Sequence, residues 1–120
     1  MARILIAEDE DSVREFVSRA LETAGHETVA AADGGEALEL ALAEPFDMLL
    51  ADIVMPVMDG IALALKLSTV RPGLPVLLMS GYATERQRAH NLDKLIAEVL
   101  PKPFTLDELL RAVRRTLAKS

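Results

Sequence analysis

Apolar residues along this chain alternate between two rhythms. Ile4-Leu5-Ile6-Ala7 is an unbroken run, halted by the acids Glu8 to Asp11, and reads as a buried strand. From Asp11 the spacing becomes helical: Val13, Phe16, Val17, Ala20, Leu21 and Ala24 share one face. Asp11 or Ser12 is placed to cap that helix, and Gly25 to end it. Glu27 to Ala31 predicts a second, faintly marked strand. Gly34-Gly35 then opens a helix with Ala37, Leu38, Ala41 and Leu42 inward, stopped by Glu44-Pro45.

The alternation continues to the end. Phe46 to Ala51 predicts a third strand, Gly60 to Thr69 a helix broken by Arg71-Pro72-Gly73, and Pro75 to Met79 a fourth strand ending in Ser80-Gly81. Thr84 to Leu92 reads as a short polar helix, and Ile96 to Leu100 as a fifth strand running into Pro101-Lys102-Pro103. Leu106, Leu109, Leu110, Val113 and Leu117 line one face of the last helix. Its acids Asp107 and Glu108 come early and Arg114, Arg115 and Lys119 late, the order that suits the helix dipole. Strands alternating with helices imply an α/β fold, a doubly wound parallel sheet covered on both faces by right-handed crossovers. No linker or repeat interrupts the pattern, so residues 1–120 are expected to be one domain with no output domain.

Bulk properties narrow the function. A hydrophobic share of 51% with 27% charged residues is that of a globular protein. The formal net charge of −6 argues against a nucleic-acid surface, and the lack of cysteine excludes disulfides and thiol nucleophiles. The first apolar run is too short for a signal peptide, and none approaches the roughly 18 residues of a membrane span. A cytoplasmic protein without membrane contact is expected.

Ligands of open α/β sheets bind at the carboxyl ends of the strands. There the chain carries Glu8 and Asp9 after the first strand, Asp52 after the third, Ser80 after the fourth and Lys102 after the fifth. Taken singly each has a bland reading: a helix cap, a turn serine, a solvated lysine. Their convergence on one rim is the stronger signal. An acid at the exit of a buried strand is costly unless a cation, a proton or a chemical task compensates. Carboxylates without His or Cys suit Mg²⁺ rather than zinc. Asp52 could then act as a nucleophile toward phosphorus, with Lys102 and Ser80 meeting phosphoryl oxygens.

Ile4-Leu5-Ile6-Ala7-Glu8-Asp9-Glu10, Asp52-Ile53-Val54-Met55-Pro56-Val57-Met58-Asp59-Gly60, Met79-Ser80-Gly81-Tyr82 and Lys102-Pro103-Phe104 resemble the receiver domain of two-component response regulators, the CheY-like family, over essentially the whole chain. The resemblance implies a flavodoxin-like (βα)5 fold with strand order 2-1-3-4-5. It also implies that Asp52 is the phosphoacceptor, Glu8 and Asp9 the acidic pair around Mg²⁺, and Val54 a metal ligand through its backbone carbonyl. Ser80 would be the switch hydroxyl, Lys102 the phosphate partner, and Lys102-Pro103 a cis peptide. A sensor histidine kinase or a histidine phosphotransfer protein would supply the phosphoryl group, and a downstream protein would read it. The domain would be a monomer or weak dimer. Among single-domain receivers the chain is similar to the CpdR type, which implies a target in a ClpXP protease pathway.

Two positions depart from the family pattern. Glu8 stands where many receivers carry aspartate, and Val99 where many place the aromatic that reports phosphorylation. Tyr82, the sole tyrosine, is the candidate to shield the acyl phosphate or carry part of the signal. His26 and His90 match no ligand position and are expected to be structural. The Arg111, Arg114, Arg115 and Lys119 run is a solvated helix face or a partner surface. The competing functions are a Mg²⁺ phosphatase of the haloacid-dehalogenase kind, which would need an acid where Val54 stands, and a receiver-like scaffold that takes no phosphate.

Overall fold

The structure is a computed structural model that describes residues 1–90, 92 and 95–119. Its elements in chain order are β1 (Arg3–Ala7), α1 (Asp11–Thr23), β2 (Glu27–Ala31), α2 (Gly34–Ala43), β3 (Met48–Asp52), α3 (Gly60–Val70), β4 (Val76–Ser80), α4 (Ala83–His90), β5 (Glu98–Pro101) and α5 (Leu106–Ala118). The strands form one parallel sheet in the order β2-β1-β3-β4-β5, the flavodoxin-like arrangement. Third and fifth strands begin two residues later than the hydrophobic runs suggest and end one residue later, so that Asp52 and Pro101 close them. The predicted end of the fourth helix, at Leu92, reaches past residue 91, which lies outside the described residues. Among the described residues no helix is long and apolar enough to cross a membrane.

Successive side chains of a strand point to opposite faces, and both faces here are covered. Leu5, Ala7, Leu49, Ala51, Val76 and Leu78 pack with α2, α3 and the Ala89 side of α4. Ile4, Ile6, Met48, Leu50, Leu77 and Met79 pack with α1 and α5. That is why β1, β3 and β4 read as continuous apolar runs. Ile4, Leu5, Ile6, Leu49, Leu50, Leu77 and Leu78 are all fully enclosed and contribute about 1.5–3 kcal/mol each to the driving force.

Helix ends explain where the sheet's rim turns. Asp33 and Asp59 cap α2 and α3 by accepting from the Glu36 and Ala62 N–H groups at 2.8 and 2.7 Å. Thr105 and Glu108 form a reciprocal capping box on α5. The expected cap of α1 is different: Glu10 occupies the N-cap without a side-chain bond, and Asp11 lies in the first turn. Helical periodicity also overcounts the core. Phe16, Leu42 and Leu106, all placed inward by spacing, are 44%, 49% and 49% exposed, because the sheet covers a narrower stripe than the periodic pattern spans. His26 is structural, its Nδ1 accepting from the Ala2 N–H at 3.1 Å, and His90 is exposed.

Candidate functional site

The rim formed by the carboxyl ends of β1, β3, β4 and β5 carries the polar cluster. Glu8 follows β1 directly, and its N–H donates to the Ala31 carbonyl at 3.0 Å, which carries the β1–β2 pairing one residue further. Its side chain is sealed from solvent. Asp52 closes β3 and is almost fully buried, whereas Asp9 is exposed. Gly60, the first residue of α3, lets the helix start press against this strand end. A Cβ there would overlap the Asp52 carbonyl oxygen and lie 3.0 Å from its carbon. Lys102 arrives from the far side of the sheet, where its N–H donates to the Ser80 carbonyl at 2.8 Å and its peptide to Pro103 is cis.

Lys102 is the hub of this constellation. Its Nζ donates to Glu8 Oε1 at 2.9 Å and to Asp52 Oδ2 at 2.8 Å. Burial alone would lower the lysine pKa, but these two bonds outweigh it and hold the pKa above its ordinary value. For Glu8 burial wins. Desolvation, reinforced by the Asp52 charge, pushes its pKa up to about 7, against the opposing pull of Lys102 and of the Glu10 N–H at 3.1 Å.

A carboxylate oxygen from each of Glu8, Asp9 and Asp52 lies within 4.8 Å of the other two. Three carboxylates against one ammonium leave excess negative charge at the rim, and an all-oxygen donor set of this kind fits a hard divalent cation such as Mg²⁺. Val54 sits two residues beyond Asp52 in the loop that follows β3, with more than half its surface exposed. In the same loop Val57 has φ of 72°, the left-handed region that β-branched residues avoid, and nothing in its sequence context signals that.

Ser80 closes β4 and is fully buried. Its Oγ lies 2.9 Å from both the Tyr82 carbonyl and Glu85 Oε1, and accepts from the Tyr82 N–H at 3.2 Å. Its hydroxyl thus faces α4. Glu85 is a buried carboxylate that sequence reasoning missed; an acid five residues past a strand-end serine has no motif to announce it. Tyr82 is 67% exposed. Val99, opposite Leu78 in β5, is half-buried against the α2–α4 side of the core. On the other flank Phe16 and Phe104, ring centroids 6.4 Å apart, line an apolar groove with Ser12, Val13, Lys102 and Pro103. Of the cationic run on α5, Arg115 is held by Glu98 and Arg111 by Asp107, while Lys119 donates to the Ala97 carbonyl at 2.8 Å.

A flavodoxin-like sheet with an acidic triad and a lysine converging on its carboxyl rim defines a class of phosphoryl-responsive signalling domains. Comparison with known proteins agrees. The family described as response regulator receiver domain matches residues 4–114, and the chain belongs to it. The response regulator receiver protein CpdR of Brucella abortus is 39% identical over 117 residues, which span 98% of each protein. Response regulator MprA of Mycobacterium ulcerans is 36% identical over 118 residues, but there the chain spans about half of the relative, 51%. Among solved structures, response regulator TrrA from Thermotoga maritima, in complex with Mg²⁺ and BeF, superposes with a TM-score of 0.88 at 28% identity. The match covers 97% of this chain and 99% of that one. A receiver domain is a signalling module rather than a classical enzyme.

Proposed function

We propose that Asp52 is the phosphoacceptor of this receiver domain. The observation that carries the reading is the Lys102 ammonium bridging Asp52 and the buried Glu8 at 2.8 and 2.9 Å. This places a fixed positive charge beside one carboxylate oxygen and leaves the other to act as the nucleophile. That oxygen attacks the phosphorus of a phosphohistidine on a sensor kinase or phosphotransfer protein. The new O–P bond forms as the P–N bond breaks, and the imidazole leaves with the electron pair. Lys102 then meets a phosphoryl oxygen, and Ser80 donates its hydroxyl to another.

Glu8, Asp9, Asp52 and the Val54 carbonyl would hold Mg²⁺. When bound, the ion offsets the negative charge gathered on the transferring group. Self-phosphorylation from small donors and self-dephosphorylation belong to the same chemistry. The phosphorylated form changes protein contacts, with Tyr82 in the loop beside Ser80 as one modulator. Likeness to CpdR along nearly its whole length favours a cytoplasmic regulator whose output is a protein partner, such as one in a ClpXP protease pathway.

The test is incubation with Mg²⁺ and acetyl phosphate followed by intact mass measurement. One added phosphoryl group in the natural protein and none in Asp52→Ala is the expected pair of results. Equal labelling of the variant, or none of the natural protein, would sink the reading.

A further inference from the structure

The other side chain touching the Ser80 hydroxyl is Glu85, and its position has consequences for how a signal leaves the rim. Glu85 lies in the first turn of α4, is 9% exposed, and its Oε1 is 2.9 Å from Ser80 Oγ. The remaining anchors of α4 are thin. Ala89 is its one buried apolar side chain among the described residues, and Arg88 reaches Asp59 in an ion pair at 3.2 Å that is largely solvated. Exposed pairs of that kind contribute little. Ser80 Oγ, through the Glu85 carboxylate and the Tyr82 peptide, therefore supplies much of what fastens the start of α4 to β4. Among the described residues, the Glu85 contact is the only one of these made by a side chain of the helix.

A hydroxyl carries a single proton. In the structure Glu85 Oε1 and the Tyr82 carbonyl both lie 2.9 Å from Oγ and compete for that proton, the charged carboxylate being the stronger acceptor. Neither can keep it once a phosphoryl oxygen on Asp52 takes it. We propose that Glu85 is the positioning residue of the switch: it holds Ser80 toward α4 in the unmodified protein, and its release moves the first turn of α4 when Asp52 is modified. The proposal rests on the phosphoacceptor reading above. Once Ser80 turns to the phosphoryl group, a buried carboxylate is left without its side-chain donor, a costly state that moving toward water relieves. The first turn of α4 is tied to that side chain and moves with it. Glu85 thus gives the signal an exit through α4 that does not require an aromatic at position 99, where Val99 cannot swing. By linkage, what holds Ser80 back from the phosphoryl group also weakens the modified state, so removing Glu85 strengthens it.

The experiment titrates beryllofluoride, a phosphoryl mimic, in the presence of Mg²⁺ and follows α4 by amide hydrogen exchange. Glu85→Ala is expected to tighten binding about tenfold, roughly one hydrogen bond's worth. In a Ser80→Ala background the same substitution gives no gain. Glu85→Gln, with a weaker uncharged acceptor, gives a gain of about threefold and serves if the alanine variant does not fold. In the natural protein α4 protection falls on binding, whereas in Glu85→Ala it is low beforehand and changes little. Natural protein that binds with no gain on removing Glu85, or a gain that persists without Ser80, overturns the proposal alone. Natural protein that does not bind beryllofluoride at all overturns the phosphoacceptor reading with it.

Discussion

Glu8 makes the protein's stability depend on pH in an unusual direction. Its carboxyl is fully enclosed and its pKa is raised from 4.5 to about 7, chiefly by burial. The folded state therefore favours the protonated acid. This contribution is fully present below pH 4.5, where folded and unfolded chains both hold the proton. It is lost as the pH climbs through 7, because the unfolded chain has already released the proton while the native state must release it into a desolvated pocket. At about 1.4 kcal/mol per tenfold change, a pKa moved from 4.5 to about 7 corresponds to ~3 kcal/mol. Glu8→Gln keeps the shape and has no proton to lose. Urea unfolding with EDTA present, run from pH 5 to pH 8.5, should show stability falling with pH in the natural protein relative to the variant. The gap should reach about 2–3 kcal/mol at the alkaline end. Mg²⁺ should flatten the slope of the natural protein by compensating the charged carboxylate. Parallel curves for the two proteins across this range would mean that burial does not govern Glu8.

Gly60→Ala should destabilise by about 1–3 kcal/mol in chemical denaturation despite alanine's better helix propensity. The added Cβ would press on the Asp52 carbonyl and come within 3.1 Å of Ile53 Cα, backbone that cannot turn aside. The same variant should label more slowly with acetyl phosphate; unchanged labelling at full stability would show that the strand end can give. Val57→Gly should do the opposite. Val57 is 82% exposed, so little burial is lost, while the left-handed conformation at φ 72° is relieved. A gain of about 0.5–1 kcal/mol is expected in the same assay after glycine's own entropy is set against it.

Much of the architecture is legible in the chain because a doubly covered parallel sheet demands apolar residues on both sides of every central strand. Ile4 to Ala7, Met48 to Ala51 and Val76 to Met79 answer that demand without ambiguity. The rim residues are legible for a related reason: where a buried strand stops at an acid, a serine or a lysine, the polar group needs a partner, and the topology brings those partners together. Features set by tertiary contact are not legible. Periodicity cannot tell that Phe16 faces Phe104 across a groove rather than the sheet. It cannot tell that Glu85, in the most polar helix among the described residues, turns inward along with Ala89. Val57 is hidden in another way, since its backbone is imposed by the loop joining Asp52 to the capped start of α3.

The bridge from Lys102 to Glu8 and Asp52 joins residues 94 and 50 positions apart. On the ribosome, β1 and β3 emerge long before β5, and in that interval the acids of the rim face one another without their ammonium. The nascent sheet can pair β1 with β2 and β3, yet the pocket acquires its charge balance only after Pro101-Lys102-Pro103 clears the exit tunnel. A partly made chain therefore lacks the cation that offsets Glu8 and Asp52 whatever its degree of folding, and the rim reaches its charge balance late in synthesis, with β5.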